Sequence, residues 1–132
     1  MITEDYVSFE TAKLLKGRGY CNISIVFYKE NGELVHYNVP LNNNGISDTL
    51  GVFYEAPTLQ MAMKWLREIY KLEVRSTYDY DKDSWWGNIN PMFEETDENS
   101  DIYQKALRFD YQGKSYEKSC EAAIKYCLEN LI

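Results

Sequence analysis

Three carboxylates at alternate positions, Asp79, Asp81 and Asp83 in the stretch "TYDYDKDSWWGNINP" (77–91), are the densest set of chemically competent side chains in the chain. Two kinds of chemistry use such a set. A calcium loop takes oxygens from positions 1, 3 and 5, a glycine at 6 for the sharp turn, and a bidentate glutamate at 12. Counted from Asp79, position 6 is Ser84 and position 12 is Asn90. Two requirements fail, so no metal is expected. Acid catalysis needs a carboxyl whose pKa is raised by burial or crowding, and a solvated turn offers neither. The reading adopted is a hairpin tip: Asp79 and Asp81 on the solvent face of a strand, with Asp81-Lys82-Asp83-Ser84 making the turn, as such residues commonly do.

Other reactive types fare no better. Cys21 and His36, the single histidine, share one predicted hairpin, but the register derived below sends Cys21 to the core face and His36 to the opposite one. Cys120 and Cys127 are seven apart on a predicted helix, about 10 Å along its axis, too far for a disulfide, and are read as small core residues. No phosphate-binding, dinucleotide, serine-elbow or zinc spacing occurs, so no cofactor and no catalytic residue is expected. Trp85 and Trp86 beside Tyr78 and Tyr80 form the richest aromatic cluster. On a strand, adjacent tryptophans point to opposite faces, one to core and one half exposed.

These residues must be positioned by the flanking elements. Ser8 caps a helix in "FETAKLLKGRG", with Val7 and Ala12 at the staple positions, Ala12, Leu14 and Leu15 inward, and Gly17 or Gly19 ending it. "CNISIVFYKENGELVHYNV" alternates on both sides of Asn31-Gly32, the mark of a β-hairpin. A two-residue turn would set Phe27 opposite His36 and mix apolar with polar on one face. A three-residue loop, Glu30-Asn31-Gly32 with Gly32 left-handed, pairs Ile23, Ile25 and Phe27 with Val39, Tyr37 and Val35, and Lys29 with Glu33. From Pro40 to Pro57 runs a long connection containing "NNNG" and the short apolar run Val52 to Tyr54, a candidate working loop.

A helix over 58–72, capped by Thr58, has an apolar arc of about 200° and is expected to be the most buried in the chain. Should Met61 or Trp65 stand exposed, a homodimer interface is the expected reason. "EVRSTYDY" and "WWGNI" read as a second hairpin, in which Val74, Ser76, Tyr78 and Tyr80 share a face. "NPMFEETDENSD" reads as a solvated loop, "KALRFDY" as a last strand, and "YEKSCEAAIKYCLENLI" as a helix capped by Ser115 with Cys120, Ala123, Ile124, Cys127, Leu128 and Leu131 on one stripe. The expected fold is a single α+β domain over 1–132: two layers, a mostly antiparallel sheet of four to five strands and three helices, in the order αββαββ(β)α.

Charge narrows the function classes. The net charge of −7 equals the excess between 79 and 101, where Asp79, Asp81, Asp83, Glu94, Glu95, Asp97, Glu98 and Asp101 face only Lys82. A neutral body with one acidic excursion is not a general nucleic-acid binder, whose affinity comes from Lys and Arg on phosphates. The N-terminus lacks the basic and apolar regions of a signal peptide, and no segment has the length to span a bilayer, so a cytoplasmic protein without membrane contact is expected.

The stretches "YVSFETAKLLKGRGY", "APTLQMAMKWLREIYKLEV" and "SYEKSCEAAIKYCLENLI" resemble small proteins of unassigned function from phages and prophages of gut Bacteroidetes. The resemblance implies an intracellular life in an infected or lysogenic bacterium and an accessory role, and it brings no catalytic or binding residues. The leading expectation is therefore a non-enzymatic accessory protein acting through contacts with a host or phage protein. Asp81, Asp83, Trp85, Trp86, Glu94, Glu95, Asp97 and Glu98 are its candidate contact residues: acids to steer a basic partner, a tryptophan as the apolar anchor. Two alternatives stand beside it, a small-molecule-binding or enzymatic domain using the loop 41–56 near Trp85, and an acidic mimic of nucleic acid.

Overall fold

A computed structural model describes residues 3–42 and 51–132. The chain is α+β, and its described residues divide into two compact units, 1–58 and 59–132, each with its own three-stranded antiparallel sheet. This corrects the single sheet of four to five strands. Among the described residues there are six strands, and four helices where three were expected.

In the first unit, α1 (Phe9–Gly17) begins as its sequence requires. Ser8 Oγ accepts the Thr11 N–H at 3.2 Å, and the staple residues Val7 and Ala12 are buried. The helix closes around Gly19, where the Tyr20 N–H reaches back to the Leu15 carbonyl at 2.9 Å. Strands β1 (Ile23–Lys29) and β2 (Leu34–Asn42) form the hairpin with the three-residue loop: Gly32 has φ +89°, Phe27 pairs with Val35, Val26 with His36, and the Lys29 N–H donates to Glu33. The register then departs from expectation. Between Ser24 and Val26 it shifts, so that Ile23 pairs with Asn42 and not with Val39. A bulge of this kind re-aims the strand end, and Ser24 Oγ fills it by bonding both the N–H and the carbonyl of Val26 at 3.3 Å.

Part of the expected working loop is a third strand, β3 (Phe53–Glu55), paired antiparallel with β1; residues 43–50 of that loop lie outside the described residues. Phe27 and Phe53 form a small aromatic core with Val35 and Tyr37 packed against them, while Phe9 of α1 meets Tyr28 and Tyr54 on the other face.

The second unit opens with α2 (Leu59–Ile69), shorter than expected. Its chain turns at Lys71, which adopts a left-handed φ of 57°, straight into β4 (Leu72–Asp79). The expectation that this is the most buried helix is corrected. Leu59, Ala62, Met63 and Leu66 are buried, but Met61 is 43% and Ile69 61% exposed. The more buried helix is α4 (Tyr116–Asn130), whose Ser119, Cys120, Ala123, Ile124, Cys127 and Leu128 are all inaccessible, matching the expected stripe. Ser115 caps it through the Lys118 N–H at 3.1 Å.

Strand β5 (Ser84–Pro91) pairs with β4 along its whole length, from Leu72 opposite Pro91 to Asp79 opposite Ser84. The helix α4 packs on both strands. Gly87 permits the approach, since a β-carbon there would lie 2.8 Å from the Ser119 carbonyl oxygen, and Ser76 and Ser119 are hydrogen-bonded alongside. The strand expected over "KALRFDY" is instead α3 (Ser100–Arg108), followed by a three-residue strand β6 (Tyr111–Gly113) on β5. The alternation of Leu107, Phe109 and Tyr111 misled. Good helix formers and the Asp101–Lys105 ion pair at 3.0 Å decide for the helix, burying Ala106 and leaving Leu107 53% exposed.

Candidate functional site

The tip of the β4–β5 hairpin is built by one side chain. Asp79 Oδ1 accepts the N–H groups of Asp81 and Lys82 at 3.0 and 3.4 Å, and its Oδ2 accepts the indole N–H of Trp86 at 3.0 Å. An aspartate that satisfies turn N–H groups two and three residues on is an Asx turn, which is what the sequence "DYDKD" offers. The Tyr78 hydroxyl donates to Asp83 Oδ1 at 2.6 Å, and the bond pushes that phenol's pKa up. Asp83 sits at φ 47°, in the left-handed region that aspartate tolerates better than most residues.

The two tryptophans do face opposite ways. Trp85 lies against Tyr78 and Tyr116 at ring distances of 5.2 and 5.6 Å, while Trp86 holds Asp79 and carries the Lys82 ammonium 5.3 Å over its ring. Both are half-buried, so neither is a free anchor. The most exposed aromatic of the tip is Tyr80, at 86%, against 44% for Tyr78. Its expected place on one strand face with Val74, Ser76 and Tyr78 is corrected, because the strand ends at Asp79 and Tyr80 already belongs to the turn.

The candidate contact residues separate into two groups. Asp81, Asp83, Trp85 and Trp86 stand at the tip. Glu94, Glu95, Asp97 and Glu98, all exposed, follow Pro91 at the other end of the strand, seven residue steps and so about 23 Å away. Among the described residues no group of three His, Cys, Asp or Glu side chains is gathered as a metal site needs. No helix among them is long and apolar enough to cross a membrane.

Two further sets of titratable groups have defined surroundings. Cys21 is exposed, not on the core face as expected: Tyr20 takes the buried position and β1 starts only at Ile23. His36 is exposed with its ring edge-on to Tyr6 at 6.0 Å. Burial pushes the Cys127 thiol up to about 12 and raises that of Cys120, so both are poor nucleophiles.

Glu55 is the group that sequence reasoning missed. Paired across the sheet with Phe27 and only 3% exposed, it accepts the Asn22 N–H at 3.0 Å on its carboxyl, and loss of water raises its pKa to about 7. Tyr20, itself buried and next to that carboxyl, is pushed up to about 12 by burial first and by Glu55 second. A signal was present: Glu55 ends the apolar run "VFYEAP", where one strand residue in two faces inward.

No family model, no curated protein and no solved structure matches the chain.

Proposed function

We propose that the chain is a non-enzymatic accessory protein that acts through protein contacts, with the tip of the β4–β5 hairpin as its contact surface. The observation that carries this reading is Tyr80, 86% exposed on a turn that Asp79 already holds in place. An exposed aromatic on an ordered turn gives a large contact area at little entropic cost, which is why tyrosines recur as anchors in interfaces. Asp81 and Asp83 beside it favour a basic surface on the partner and disfavour phosphates, so a host or phage protein is the expected partner, and not nucleic acid directly. The resemblance to phage and prophage proteins supports the accessory role and a place in the bacterial cytoplasm.

The test is capture from a bacterial lysate on the immobilised chain. A discrete protein retained by the wild type should be lost with Tyr80→Ala and weakened by Asp81→Asn with Asp83→Asn. Equal retention by all three would refute the tip as the contact surface.

One observation favours a second reading, a ligand-binding or enzymatic site on 41–56. Glu55 is a buried carboxyl that titrates near neutral pH, the state a proton-transfer group needs. Under that reading Glu55→Gln abolishes a measurable turnover or ligand affinity; under the leading one it leaves partner capture intact. The mimicry of nucleic acid is not adopted, because the acids stand in two groups at opposite ends of a hairpin and not in a continuous row.

A further inference from the structure

The end of the second unit opposite the hairpin tip holds a cleft of about 200 Å³, lined by Tyr70, Leu72, Phe93, Asn99, Ile102 and Leu131. We propose that this cleft receives one apolar side chain of a basic peptide segment of a partner protein.

Size, lining and surrounding charge argue for that occupant. Ligand pockets that enclose a cofactor or drug-sized molecule run from about 300 to 1,000 Å³, whereas an apolar cavity of about 150 Å³ takes a benzene ring. The cleft is therefore the size of one aromatic or branched aliphatic side chain. Its wall is almost wholly carbon. Asn99 offers it little polarity, because its Oδ1 accepts the Thr96 N–H at 2.6 Å and its Nδ2 donates to the Glu94 carbonyl at 2.8 Å. Those two bonds also fix the acidic loop to the cleft's rim.

Glu94, Glu95, Asp97 and Glu98 are all exposed there, and among the described residues none of them forms an ion pair. Glu95 accepts only neutral donors, the Ser100 hydroxyl and the Gln104 amide. Lys105, on the helix that follows the loop, is paired with Asp101 at 3.0 Å. An apolar socket beside a one-sign field fits a partner segment with the opposite sign flanking an apolar anchor. The cleft lies about a strand's length from the tip, so the two surfaces can be tested separately.

The probe is a yeast-displayed library of short random peptides selected on the immobilised full chain. Enriched peptides should share one apolar residue flanked by Lys or Arg. Synthesised with a fluorescent label, they should lose about tenfold or more in affinity when that residue becomes Ser, and as much on Ile102→Glu, a half-exposed position whose variant is checked for native circular dichroism. The combined variant Glu94→Gln, Glu95→Gln, Asp97→Asn, Glu98→Gln should bind more weakly and lose most of the salt dependence. No enriched family, enrichment without an apolar or a basic position, or affinity unmoved by Ile102→Glu would overturn the proposal. Saturable uptake of free toluene by a chain that selects no peptide would overturn it in favour of a small ligand.

Discussion

Burial of the Glu55 carboxyl raises its pKa from 4.5 to about 7, against the opposing pull of the Asn22 N–H that donates to it at 3.0 Å. An acid with a raised folded-state pKa binds its proton more tightly in the native chain than in the unfolded one. Its stabilisation is fully present below pH about 4.5 and is lost as the pH rises through about 7. Urea unfolding at pH 5 and pH 8 should show a loss in the wild type, on the order of 2–3 kcal/mol, that is absent in Glu55→Gln. An unchanged difference between the two pH values in the variant would assign it to other groups. Asp79 makes a second residue-scale prediction. Asp79→Ala removes the acceptor of two turn N–H groups and one indole, and should cost about 1–2 kcal/mol in thermal or urea unfolding, with a shifted tryptophan emission. Of these two roles, that of Asp79 was legible only in part: "DYDKD" marked a hairpin tip, but the reading set Asp79 on the strand's solvent face and gave the turn to 81–84. That of Glu55 was left unread: the run "VFYEAP" carries the alternation that turns it inward, but a glutamate next to a long loop reads as surface until that run is taken as a strand.

At the scale of elements, pattern was a reliable guide where one periodicity acted alone. The hairpin loop at Gly32, both serine caps and the stripe of α4 follow from it. It failed where backbone detail decided. The bulge at Ser24 moves the β1–β2 pairing without any change in alternation, and α3 was masked by apolar residues that also fit a strand. Nor does a lysine announce a helix end, yet Lys71 takes the left-handed turn from α2 into β4. Lys71→Gly should raise stability by about 0.5–1 kcal/mol, because glycine adopts that φ without a β-carbon clash. Gly87→Ala should act the other way. Its β-carbon would press on the Ser119 carbonyl at 2.8 Å, a backbone atom that cannot swing aside, at a cost of about 1–3 kcal/mol. Chemical denaturation of the two variants checks both signs, and a neutral Gly87→Ala would show that α4 is free to slide on the sheet.

For the whole molecule, the acidic excursion was plain in the sequence, but its division into two surfaces was not, since only the length of β5 sets the tip acids about 23 Å from the loop acids. The tip then becomes a small ordered platform whose most exposed aromatic is Tyr80, and both tryptophans act as its supports. On the proposed function, this platform binds a basic protein surface. The direct measurement is calorimetric titration of the captured partner into the wild type, Tyr80→Ala and the combined Glu94→Gln, Glu95→Gln, Asp97→Asn, Glu98→Gln variant, at low and moderate salt. Tyr80→Ala should weaken binding by about tenfold or more, added salt should weaken the wild type, and the loop variant, altered far from the tip, should keep most of the affinity. A partner that binds Tyr80→Ala as tightly as the wild type would contradict the proposed function.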